Sequence, residues 1–407
     1  MCKNNLLHED ARAVQLCHVK PGLGIDFSKE CDRLFDTDIT NGGLMTIAFS
    51  AKGVPDLIFA RGALNELPKR TVVYGTNVLL VGDAYLENHP SLLKDVMAKL
   101  IAAGIQIDHV SARAKKTQEA VDIINKSHEL AQFDCVVSIG GGRAIDSGKL
   151  LARTCPHIAV PTTAGSGAPM NGIIFGGKEA IKQTFDSFLL PDLVIADPAF
   201  IDEMDRDDFA ARALSVLMLL IEAYISPKAS VMSDALVWSG LEAFVRGFVG
   251  GVDGDPLGRD EVFYASLMAG VGTGQAGFGL THRYGTIVEQ KTNLTYAQAC
   301  ATICAESTDL QVQLLCDFLP DHAAMDKYAL LGELIAERPF EDREEAYASL
   351  IGTLRRWVAR LNLPKIALTE KMQDQICSSI EREWDENVLP VHPDLRDMAT
   401  PLLRRLL

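Results

Sequence analysis

The stretch DCVVSIGGGRAIDSGKLLA, residues 134–152, decides the fold. Its first part is apolar and rich in β-branched residues, the pattern of a strand buried on both faces. Its last part, AIDSGKLLA, has helical spacing. Gly140, Gly141 and Gly142 join the two. A glycine turn between a buried strand and a helix lets backbone N–H groups approach a pyrophosphate, and the helix N-terminus adds a favourable partial charge. The spacing is not G-x-G-x-x-G, so this is not the usual dinucleotide fingerprint.

Working outward, DLIFA (56–60), NVLLVGD (77–83), IQIDHV (105–110) and HIAVPTT (157–163) read as further strands. Residues 90–103 and 117–130 read as helices between them. Strand and helix in alternation argue for a parallel sheet covered on both faces. Past about residue 200 the period changes to 3.6, with helices expected over 207–225, 232–248, 258–275, 297–316, 324–336, 343–361 and 369–384. The fold class is therefore an α/β N-terminal domain plus an all-α C-terminal domain; the family resemblance given below implies that the first is a dinucleotide-binding domain and the second a substrate domain. The expected divisions are an N-terminal extension over 1–45, the α/β domain over 46–198 and a helical domain over 199–407, with Pro198 at the seam.

Composition narrows the function. Lys and Arg number 39 against 54 Asp and Glu in 407 residues, a net charge of −15. Such a chain repels phosphate backbones, which argues against nucleic acid as a partner. No run approaches the roughly 18 apolar residues of a membrane span, and MCKNNLLHEDARAVQLC lacks the apolar core of a signal peptide. The nine cysteines form no C-x-x-C pair and no Cys/His cluster with zinc spacing. They read as reduced, mostly buried thiols of a cytoplasmic protein.

Two more elements support a cofactor. A second polar loop, PTTAGSG (161–167), follows the strand after the glycine turn, and Asp83 ends the strand NVLLVGD. Loops at the carboxyl ends of adjacent strands form the crevice that binds dinucleotides, and an acid at a strand end can accept from ribose hydroxyls while repelling a 2′-phosphate. NAD is thus favoured over NADP.

VVSIGGGRAIDSGK, AVPTTAGSG, LLPDLVIADP, IEAYIS and SDAL, in that order, resemble the iron-dependent (group III) alcohol dehydrogenases of the dehydroquinate synthase-like superfamily. The resemblance covers roughly residues 55–300. It implies a cleft between the two domains for NAD(P) and a divalent metal, with a small-molecule substrate and, by family habit, a homodimer. It matches Asp83 to the adenosine-ribose acid. Gly141, Gly142 and Asp146 match the pyrophosphate turn, Thr162, Thr163 and Ser166 the second cofactor loop, and Lys182 the lysine near the nicotinamide ribose. Arg143 stands where the family usually has a small serine, placed either to clamp the pyrophosphate or to crowd it.

The resemblance breaks at the metal. The family uses an Asp and a His four residues apart on one helix, then two more His. The corresponding positions here are Ser215, Leu219, His282 and Tyr296. One imidazole does not hold a divalent ion at useful affinity, so no metal is expected. Carbonyl reduction without a Lewis acid needs either a proton donor, for which His282 and Tyr296 are the candidates, or a substrate that is already electrophilic, such as a protonated imine or activated enone. The expectation is a metal-independent, nicotinamide-dependent oxidoreductase for a small aldehyde, ketone or imine. The alternative is a catalytically degenerate homologue that keeps the cofactor pocket as a binding or regulatory protein. A lyase or cyclase of the dehydroquinate synthase kind ranks last.

Overall fold

The computed structural model describes residues 49–113, 117–174, 185–363 and 369–382. The N-terminal extension and Lys182 lie outside the described residues. The described residues from 51 onward form one compact unit.

Six strands build one parallel sheet: β1 (Asp56–Phe59), β2 (Asn77–Gly82), β3 (Gln106–Ser111), β4 (Cys135–Gly140), β5 (His157–Pro161) and β6 (Leu193–Ala196). Their spatial order is β1-β6-β5-β4-β2-β3. Val78 to Val81 of β2 and all of β4 and β5 are buried, which is why these segments are apolar throughout instead of alternating. Among the described residues, α1 (Leu67–Tyr74), α2 (Ala84–Asn88), α3 (Pro90–Ala102), α4 (Thr117–Ser127) and α5 (Gly142–Leu151) accompany the sheet. The register sets Gly140 beside Pro161 and Gly82 beside Ile139. The loops after β2, β4 and β5 therefore leave from one edge. Build-out of the sheet reverses between β2 and β4, the point where open α/β sheets place their ligand crevice.

After β6 the described chain is helical: α6 (Arg206–Ile225), α7 (Val231–Val252), α8 (Pro256–Ala276), α9 (Leu280–Lys291), α10 (Tyr296–Phe318), α11 (Ala323–Ala336), α12 (Arg343–Ala359) and α13 (Glu370–Arg382). Seven of these were expected; α9 was not. Start signals are strong where the sequence carries them. Asp205, Ser230, Asp255 and Thr295 each cap the helix that follows, and Asp253 and Asp255 lie in the turn between α7 and α8. By length and composition α7 could cross a membrane, with mean hydropathy 1.2, which corrects the reading that no run comes near a span. Here Val237, Leu241, Phe244 and Phe248 of α7 are buried with residues of α6 and α8 in one core.

That core is continuous with the sheet. Ile145 of α5, Ala159 of β5 and Val194 and Ala196 of β6 share it with α6, α7 and α8. The second polar loop meets α8 backbone to backbone. A Cβ on Gly270 would lie 2.1 Å from the Gly167 carbonyl oxygen, and Gly167 itself has φ +65°. Gly270→Ala is therefore expected to cost at least about 1–3 kcal/mol by overpacking, seen as a lower urea midpoint at unchanged slope. A variant as stable as the parent would show that this contact is not close.

Candidate active site

The glycine turn is built by exclusion of side chains. A Cβ on Gly140 would lie 2.6 Å from Asp83 Cγ and 2.7 Å from Ala144 Cβ, and one on Gly142 would lie 2.6 Å from Ser166 Oγ. Asp83 is half-buried and clips the turn: its Oδ2 accepts the Gly141 N–H at 2.8 Å. Its Oδ1 accepts the Tyr85 N–H at 2.9 Å and caps α2. A carboxylate has about four acceptor sites, so this clip leaves capacity for a ribose hydroxyl. Thr163 Oγ1 faces Gly141 across the crevice. Thr162 Oγ1 is buried without a hydrogen-bond partner among the described residues, the condition of a group that a ligand completes. The structure thus brings together Asp83, Gly141, Gly142, Thr162, Thr163 and Ser166. These residues fit a dinucleotide, whose nicotinamide would supply hydride chemistry.

Two predicted residues sit differently. Arg143 is exposed on the first turn of α5. Asp146, expected at the pyrophosphate, is buried behind the turn and paired with Lys149 at 3.0 Å. Helical periodicity points Asp146 and Lys149 inward. The Lys149 ammonium also donates to the Ile173 carbonyl at 2.7 Å and to Asn171 Oδ1 at 3.4 Å, tying α5 to the chain after the second loop. Burial pulls its pKa down and Asp146 pulls it back. Nearby, His157 is held neutral, its pKa depressed to about 3 by burial and by Lys149.

The second centre lies where α6, α9 and α10 meet. Ser215 Oγ donates to the Arg212 carbonyl at 2.7 Å, and Leu219 is buried in the core. His282, on the first turn of α9, places Nδ1 2.8 Å from the Tyr296 hydroxyl. Phe278 stacks on the imidazole, with ring centroids 4.0 Å apart. Tyr296 begins α10, whose start is fixed by the Thr295–Gln298 capping box. Burial, with Arg283 adding to it, holds the His282 pKa well below its ordinary value. Burial raises the Tyr296 hydroxyl well above its own. Both groups are therefore neutral at physiological pH.

Sequence reasoning missed the residue that aims this helix. Glu222, one turn beyond Leu219, is buried and accepts the Gly279 N–H at 3.0 Å and the Thr281 N–H. It caps α9 from another helix. An acid inside LSVLMLLIEAYI was the available signal. Burial pushes its pKa up to about 7 despite those N–H donors.

No group of three or more His, Cys, Asp or Glu side chains is arranged for a metal among the described residues. At the positions matched to the family's ligands stand a hydroxyl bonded to its own helix, an alkyl group, and an imidazole bonded to a phenol. This donor set does not fit a divalent ion.

Residues 55–198 match the family model for iron-containing alcohol dehydrogenases, and residues 209–380 match that of the family's C-terminal part. The chain belongs to this family. It is 28% identical over 246 residues to a 1-propanol dehydrogenase of Citrobacter freundii, covering 56% of this chain. The chain spans just under two thirds, 64%, of that relative's length. It is 26% identical over 263 residues to an NAD-dependent methanol dehydrogenase of Bacillus methanolicus, covering 56% of this chain and 67% of the relative. A sulfoacetaldehyde reductase from Bifidobacterium kashiwanohense, solved in complex with NAD+, shares the fold at TM-score 0.69 and 17% identity, over 88% of this chain and 99% of that one.

Glu222 gives a stability signature. Between about pH 4.5 and 7 the folded chain keeps a proton that the unfolded chain has released. Stability therefore falls as pH rises through that window and levels off above it, by roughly 3 kcal/mol at most. Glu222→Gln is expected to flatten this slope in urea unfolding at a series of pH values; an unaltered slope would assign it to another group.

Proposed function

We propose that this member of the iron-containing alcohol dehydrogenase family is a nicotinamide-dependent oxidoreductase that works without a metal on a small aldehyde, ketone or imine. One observation carries the reading: His282 and Tyr296 are hydrogen-bonded at 2.8 Å on positions matched to the family's metal ligands, in a chain that keeps its cofactor turn. The turn supports a nicotinamide cofactor because Gly140 and Gly142 admit no side chain and Thr162 Oγ1 is left for a ligand. Asp83 supports NAD over NADP, since a carboxylate at the ribose repels a 2′-phosphate. The 1-propanol and methanol dehydrogenases among its relatives support a small substrate.

When bound, reduced nicotinamide supplies a hydride. The chain's part is to bind and orient, to exclude water and to stabilise the oxygen that becomes negative. In the family that last task belongs to the metal; here His282 and Tyr296 take it. The described cysteines 135, 155, 300, 304 and 316 are in no disulfide, which supports a cytoplasmic setting.

The test is a fluorescence titration of chelator-treated protein with NADH and NADPH, followed by turnover on a panel of small carbonyl compounds. Saturable NADH binding, tighter than NADPH at equal ionic strength, and turnover indifferent to chelator are expected. Absence of binding to either nucleotide would favour the degenerate homologue. A stoichiometric ion whose removal abolishes activity would end the metal-free reading.

A further inference from the structure

Lys149 is fully buried, and its ammonium uses all three of its hydrogens. One goes to Asp146 Oδ1 at 3.0 Å, one turn back on α5. The other two leave the helix: the Ile173 carbonyl accepts at 2.7 Å and Asn171 Oδ1 at 3.4 Å. Burying an ammonium is costly, and a well-packed apolar side chain would serve stability as well as a buried ion pair does. What the ammonium adds is direction, since it aims bonds at two points outside its own helix.

Those two points belong to the turn that closes the second loop. Asn171 Oδ1 also accepts the Ile173 N–H at 3.1 Å, and Asn171 Nδ2 donates to the Gly167 carbonyl at 3.4 Å. The same carbonyl accepts the Met170 N–H at 3.0 Å. Residues 167–173 are thus tied into one piece. The helix that holds them cannot yield, because Gly148 lies against the sheet: a Cβ there would lie 2.5 Å from His157 Nε2 and 2.8 Å from Ser138 Cβ. The other end of the loop hangs on the glycine turn, where the Thr162 N–H donates to the Gly140 carbonyl at 3.0 Å. Between these two attachments lies Ser166, whose Oγ faces Gly142.

We infer that Lys149 is a positioning residue for the cofactor: it sets the separation of the second loop from the glycine turn, and through it the seat of the nicotinamide half. This rests on the nicotinamide reading above and assigns a further residue to it. The strand order places the two halves. Asp83 follows β2, the turn follows β4 and the second loop follows β5, three neighbours in the sheet. A dinucleotide with its adenosine at Asp83 and its pyrophosphate at the turn meets the second loop with its nicotinamide half. Lys149 holds the last of these three and makes no bond to Asp83 or to the glycines.

The test compares NADH with ADP, which has the adenosine and two phosphates but no nicotinamide half, by calorimetric titration of the full chain. Lys149→Met combined with Asp146→Asn removes the ammonium without leaving a buried carboxylate unanswered. Asn171→Ala cuts the link to Gly167 and keeps the ion pair. Each variant is expected to bind NADH roughly tenfold more weakly and ADP within about twofold of the parent, tenfold being about the worth of one hydrogen bond to an ionised group. A role in folding alone would lower the urea midpoint and weaken both nucleotides alike, or neither; either pattern, read in whichever variant folds, overturns the inference. A parent chain that binds ADP but not NADH would instead bring down the nicotinamide reading, and the inference with it.

Discussion

A single buried carboxylate sets the geometry of the altered corner. Glu222 sits in the apolar run of α6 and reaches across to the N-terminus of α9, where it accepts from Gly279 and Thr281. Burying a carboxylate is costly unless donors answer it, and the exposed N–H groups of a helix start are such donors. Glycine at 279 is what lets the acid come close, since a Cβ there would lie 2.6 Å from Glu222 Cδ. His282 follows within one turn, so its position is inherited from this cap. The pairing with Tyr296 depends in turn on α10 starting where the Thr295 box starts it. A change of chemistry at Ser215, Leu219 and Tyr296 thus leaves the frame around it standing.

The cofactor end has a comparable economy. Asp83 ends β2, caps α2 and holds the Gly141 N–H, so one side chain joins two strand ends across the crevice. The residue suited to a ribose is first a structural clip. On the far side of α5, the Lys149–Asp146 pair anchors the chain after the second loop at Asn171 and Ile173. The turn is braced from both directions by groups that need not touch a ligand.

How much of this could be read beforehand follows from the physics of each segment. The buried strands and the glycine turn were legible because continuous apolar β-branched runs ending in glycine have few other solutions. The long helices were legible from their period. Helix α9 was not: in LTHRYGTIVEQK the apolar stripe of Leu280, Tyr284, Ile287 and Val288 is short and shares its buried face with Thr281, His282 and Gly285. The residues of the corner could be named from the family pattern, yet their contacts could not, because the direction of a hydroxyl depends on helices far apart in sequence. Asp146 was misplaced for a similar reason: the turn suggested a ligand, and the inner face of α5 supplied a lysine instead. Glu222 stood in plain view as an acid among leucines, but sequence alone does not say which backbone it caps.

The approach of Gly167 to Gly270 carries a consequence for descent. Each glycine excludes a side chain at the other, since a Cβ on either would lie within 2.4 Å of the opposite backbone. Neither position can drift first. At Leu219 and Tyr296 one side chain can be traded for another in single steps, because a side chain already has room there. The tight seam between the second loop and α8 offers no such path, and variation in this chain is channelled toward its chemistry and away from the joint that carries it.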